Sequence, residues 1–147
     1  MTADFQAAEI RTAQIRSDRL VAAVIGISYL IAAWGYRRVD VMYGFGCKLP
    51  TDQLWQVQEV ETSGLDGHIE RSIRDGIFLP GLSDIHIESC EMPFGFKLCH
   101  ESDLQFESTQ PWMVEQVVAC WRAQGFALFM NAGPSASPGT KEWKRLT

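Results

Sequence analysis

Residues 84–106 alternate between apolar and polar side chains with a period of two, and nothing else in the chain constrains its fold as tightly. Ile85, Ile87 and Ser89 fall on one side of 84–90, with His86, Glu88 and Cys90 on the other. That period marks a half-buried strand. Phe96 and Leu98 resume the alternation after Met92-Pro93, so the segment folds back on itself. A two-residue loop there sets Ile87 opposite Leu98, Ser89 opposite Phe96 and His86 opposite Cys99. The same register places Glu88 across from Lys97 on the wet face, an opposite-charge pair of roughly 0.2–1 kcal/mol. A three-residue loop at Glu101-Ser102-Asp103 then brings Leu98 to Phe106 and His100 to Leu104.

A helix follows this meander. Pro111 suits the first helical position, where its fixed φ fits and its missing N–H costs nothing. Met113, Val114, Val117, Val118 and Trp121 form one apolar stripe, and Gly125 ends the helix. Phe126 to Met130 reads as a further strand. The expected fold is α+β: a mostly antiparallel sheet with a meander over 83–108, further strands near 39–46, 54–60 and 126–130, and helices on one face.

Earlier in the chain, Thr2-Ala3-Asp4 caps an expected helix carrying Phe5, Ala8 and Ile15 to about Ser17. Leu20 to Tyr36 is a run of seventeen residues without a charge, flanked by Arg16 and Arg19 before and Arg37-Arg38 after. As a membrane anchor it has Trp34 and Tyr36 for an interfacial belt. Seventeen residues at ~1.5 Å per residue nevertheless span only about 25 Å, short of the roughly 30 Å hydrocarbon core. A buried central helix is the favoured reading. Ser63 and Asp66 are candidate caps for a short helix with Leu65, Ile69 and Ile73, ending at Gly76. Residues 1–132 are expected to form one domain, and 133–147, rich in Pro, Ser and Gly, a flexible tail.

With 18 acidic against 13 basic residues the net charge is −5, which excludes a general phosphate-backbone binder and so speaks against nucleic acid. Cys47, Cys90, Cys99 and Cys120 include no CxxC pair, and the first nineteen residues are not a signal peptide. Reduced cysteines in the cytoplasm are the expectation, with an inner-membrane-anchored protein as the alternative.

No motif carries a reaction. Gly44, Gly46, Lys48 and Thr51 miss the P-loop spacing, and turn chemistry accounts for them. His68, Glu70 and Asp75 read as solvated groups on a short helix. His86 and Cys99, with Glu88 beside them, are candidates for a thiolate–imidazole pair or half of a zinc site. An ordinary sheet surface outweighs both, so neither a catalytic residue nor a cofactor nor a metal is expected. Trp55 and Trp112 are left over once the core stripes are filled, and such aromatics favour interfaces. Three functions follow. The first is a small acidic interaction module of immunity, chaperone or adaptor type, binding a protein partner or a second copy. The second is a sensor or scaffold anchored by Leu20–Tyr36, and the third a thiol enzyme or metal-binding protein using His86 and Cys99.

Overall fold

The computed structural model describes residues 7–89, 91, 93–131 and 143–146. Its strands are β1 (Ala8–Thr12), β2 (Arg38–Tyr43), β3 (Gln58–Glu61), β4 (Ile85–Glu88), β5 (Phe94–Leu98), β6 (Leu104–Ser108), β7 (Leu128–Asn131) and β8 (Trp143–Leu146). The helices are α1 (Ser17–Ala33), α2 (Leu65–Arg74) and α3 (Pro111–Ala123). All eight strands join one antiparallel sheet in the order β3-β2-β4-β5-β6-β1-β7-β8. The α+β architecture with helices packed on one face is the one that the sequence implies.

Alternation makes the sheet two-sided. On the inner face Val41, Ile87, Phe96, Phe106, Ile10 and Met130 stand in one transverse row, each opposite the next across six strands. The first five are buried, and the aromatic pair Phe96–Phe106 has its ring centroids 4.7 Å apart. Helix α1 covers this face because Leu20, Ala23, Val24, Ile27, Ser28 and Ile31 recur at three- and four-residue steps and are buried together. Trp34 at its end stacks on Phe96 and meets Phe94 edge-on. It also donates Nε1–H to Gln116 of α3 at 2.6 Å. Trp121 of α3 closes on Phe96 from the same side. Pro111 opens α3 as expected, and Ser108 Oγ accepts the backbone N–H of Gln110 just before it.

Several expectations are corrected. Residues 8–12 are not helical: Ala8, Ile10 and Thr12 point inward, Glu9 and Arg11 outward, and β1 sits between β6 and β7. Thr2-Ala3-Asp4 and Phe5 lie outside the described residues. The C-terminal stretch supplies β8, where Trp143 pairs with Asn131, so residues 143–146 belong to the sheet and not to a tail. Both meander registers move by two residues. Ile87 faces Phe96, Ile85 faces Leu98, Leu98 faces Leu104, and Glu88 faces Gly95 instead of Lys97. Each turn is centred one residue nearer the N-terminus than expected, and the resulting two-residue slip leaves every side chain on its own face. Leu20–Tyr36 is chiefly the buried helix α1. Among the described residues no helix is long and apolar enough to cross a membrane.

The inner row predicts a sharp contrast. Phe96→Ala should lower the unfolding free energy by about 3–5 kcal/mol, the usual cost of emptying an aromatic core site. Tyr29→Ala lies within the same apolar sequence run as α1, but Tyr29 is 71% exposed. It should change stability by no more than about 0.5 kcal/mol. Urea denaturation of the two variants decides, and equal costs would show the core to be misplaced.

Candidate functional site

No helix covers the opposite face of the sheet among the described residues, and its side chains follow from the same registers. One transverse row reads Glu59, Asp40, Glu88, Gly95, Glu107, Glu9, Asn131 and Trp143, one residue from each strand. Five of these eight are carboxylates. Three of the direct cross-strand pairs, Glu59–Asp40, Asp40–Glu88 and Glu107–Glu9, carry like charge. Such pairs stand about 4.5–5.5 Å apart at Cβ and are destabilising. The neighbouring row reads Met42, His86, Lys97, Gln105, Arg11, Phe129 and Arg145, so cations run beside the acidic row, and at its β3 end Arg38 pairs with Glu59 at 2.8 Å.

The centre of the acidic row is a notch. Gly95 contributes no side chain, and Glu88 and Glu107 lean over it, with carboxylate and methylene atoms 3.6 Å from where a Cβ would stand. The resulting hollow, lined by Glu9, His86, Glu88, Lys97, Glu107 and Trp143, has room for about 130 Å³. Typical small-molecule cavities run to about 300–1,000 Å³, so this one suits a single inserted side chain better than a whole cofactor.

Aromatic groups stand at both ends. Arg11 lies over the Trp143 ring at 4.6 Å and the Phe129 ring at 5.8 Å. Across the sheet, Trp55 is 53% exposed with its ring 5.3 Å from that of His86. Its backbone is left-handed, at φ 63°, which costs a non-glycine residue about 1–3 kcal/mol. Its N–H bonds Tyr43 O at 2.8 Å, and its ring lies so close to Gly44 that a Cβ there would sit 2.3 Å from it. Trp112 does not join this face. It packs edge-on against Trp34 at the start of α3, 44% exposed.

The structure separates His86 from Cys99. His86 faces Lys97, its Nε2 is buried without a hydrogen-bond partner, and burial, with Lys97 adding to it, holds the imidazole below its ordinary pKa. Cys99 lies two residues beyond Lys97 in the β5–β6 turn, where Asp84 and Asp103 approach it. Burial, reinforced by the Asp103 carboxylate, pushes its thiol up to about 11. So little of it is thiolate at neutral pH that the nucleophilic reading gains nothing. Cys47, Cys99 and Cys120 are free thiols, and Cys90 lies outside the described residues.

Sequence reasoning passed over Asp84 and set His100 on the face opposite Cys99, whereas its Nδ1 lies 3.9 Å from the Cys99 sulfur. Asp84 is buried, and its Oδ1 accepts both the backbone N–H of His100 at 2.7 Å and a bond from His100 Nδ1 at 2.8 Å. Lys97 Nζ stands 3.9 Å from Oδ2. The available signal was Cys-His-Glu-Ser-Asp at 99–103, four donor side chains in five residues.

Two histidines make stability fall in acid. Burial lowers the pKa of His68 as it does that of His86. The folded state therefore binds fewer protons than the unfolded one, whose histidines titrate near ~6.5. Stability is complete above that value and is lost as pH falls through it. Denaturation midpoints should drop between about pH 7.5 and 5.5, and less steeply in a His68→Gln/His86→Gln chain. An unchanged slope in the double variant would refute the assignment.

No protein-family model, no curated protein and no solved structure matches this chain, so its function has to be drawn from the open face and the turn themselves.

Proposed function

We propose that the protein is a binding module whose open sheet face receives a lysine- or arginine-rich segment of a protein partner. The observation that supports this most is the five-carboxylate row with its notch at Gly95. A cationic side chain lowered over Gly95 between Glu88 and Glu107 gains charge-assisted hydrogen bonds. The bordering Trp55 and Trp143 give an aromatic rim of the kind that anchors interfaces. The same charge makes other occupants unfavourable. A second copy presenting this face meets an identical acidic row, and a nucleic acid brings phosphates to it.

The test uses the full chain and fluorescently labelled oligolysine and oligoarginine peptides, read by anisotropy, with oligoglutamate as the opposite probe. Basic peptides should bind and should weaken as salt is raised, whereas oligoglutamate should not bind. Glu88→Gln/Glu107→Gln should weaken binding at least tenfold, equivalent to about 1.4 kcal/mol. Gly95→Val, which fills the notch with a residue favoured in strands, should do the same without loss of stability. Neutralising Glu70 and Asp75, both exposed at α2, removes equal charge elsewhere and should leave affinity unchanged. Equal losses from the two neutralised pairs would reduce the effect to bulk charge and overturn the assignment to this face.

A further inference from the structure

We propose that the β5–β6 turn binds a divalent transition-metal ion of the zinc class through Cys99, His100, Asp84 and Asp103, independently of what the open face binds. The β4–β5 and β5–β6 registers, continued beyond the paired residues, place Asp84 and Asp103 on either side of Cys99. The bond from Cys99 N–H to Asp103 O, at 2.9 Å, holds the second of these positions. Ligand atoms of Asp84, Cys99 and His100 lie within 4.8 Å of one another, and so do those of Cys99, Glu101 and Asp103, with the thiol common to both sets, so a four-ligand site needs Asp103 to be drawn in toward Asp84 and His100 when the ion binds.

The donor chemistry fits. One thiolate, one imidazole and two carboxylates are ligands zinc accepts, and four of them complete a tetrahedron. With metal–ligand bonds of about 2.0–2.3 Å, neighbouring ligand atoms in a tetrahedron stand roughly 3.4–3.6 Å apart. Cys99 Sγ and His100 Nδ1 are 3.9 Å apart, close to that separation. His100 Nδ1 and Asp84 Oδ1, at 2.8 Å, share a proton that an ion would displace, opening by about half an ångström. The Phe45 ring, 4.6 Å from the imidazole, and the His100 N–H bond to Asp84 would keep both ligands oriented.

A second, independent sign comes from Asp103. Only 6% of this residue is exposed; Oδ2 accepts Gln105 Nε2 at 3.2 Å, and Oδ1 has no hydrogen-bond partner. Burying a carboxylate oxygen unpaired is expensive, and buried charges are normally paired or coordinate metals. An ion held at Cys99 would satisfy that oxygen once Asp103 closed on it, and on binding it would release the Cys99 thiol proton to solvent.

Titration of the full chain with Co²⁺ tests the site. Tetrahedral binding through sulfur gives a near-ultraviolet thiolate-to-metal charge-transfer band together with strong visible d–d absorption. A one-to-one complex with both features, displaced by Zn²⁺, is expected. Cys99→Ser should abolish the charge-transfer band, while Cys47→Ser and Cys120→Ser keep it. Asp103→Asn and His100→Gln should each weaken Co²⁺ binding at least tenfold with unchanged circular dichroism. His100 is partly exposed, so His100→Gln decides the matter even where Cys99→Ser fails to fold. No charge-transfer band in the wild-type chain, a band that survives Cys99→Ser, or affinity unchanged in His100→Gln would each overturn the proposal.

Discussion

The inner transverse row from Val41 through Ile87, Phe96 and Phe106 to Ile10 is the contact on which the rest of the molecule depends. These five residues come from chain positions as far apart as 10 and 106, so nothing local holds them together. What does is burial against α1 and α3, with each large buried side chain contributing roughly 1.5–3 kcal/mol. Once that row is fixed, the pleat leaves no freedom to the other face. Every residue flanking an inner one must point outward, and the acidic row is built as a consequence of packing.

The architecture was legible because face assignment survives errors of register. Period two told that Ile85, Ile87, Phe96, Leu98 and Phe106 share a side, and a slip of two residues alters partners but not sides. The turns were less legible. Residues 89–93 and 99–103 carry no short primed-turn signature, and the hydrogen bonds that close the second turn involve Cys99, Ser102 and Asp103. Ser102 there adopts φ 66°, which its residue type does not announce. Strand β1 was missed because five residues of mixed polarity also fit the spacing of an amphipathic helix. Its strand identity comes from β6 and β7 on either side, which is tertiary information. For β8, composition pointed the wrong way: the Pro, Ser and Gly before Trp143 suggested a tail, whereas Trp143 and Leu146 complete the sheet edge.

The site divides in the same way. Glu88, Trp55 and His86 stood out as residues, and all three do lie on or beside the open face. Their arrangement into a row of carboxylates did not stand out, because Glu9, Asp40, Glu59 and Glu107 are scattered over a hundred positions and meet only through the strand order. Cys99 was paired with the wrong histidine for a similar reason. The two-residue shift hands His86 to Lys97 and brings Asp84 alongside the thiol, so the chemistry next to Cys99 changed from imidazole across the strand to carboxylate.

An eight-stranded sheet with one face that no helix covers among the described residues is a hazard in water, since exposed sheet surfaces and edges template further association. Charge placement is the usual remedy, and here it takes the form of a row of one sign. Alternating signs would keep the face wet at less expense, because opposite-charge cross-strand pairs stabilise while Asp40 beside Glu88 and Glu9 beside Glu107 repel. A same-sign row also makes the face a poor dock for an apolar helix, as desolvating charged groups costs several kcal/mol each. The arrangement therefore disfavours apolar segments and like-charged surfaces on this face. On the proposed reading, a basic partner closing over the row would turn that repulsion into attraction and so couple the sheet's stability to occupancy of the face.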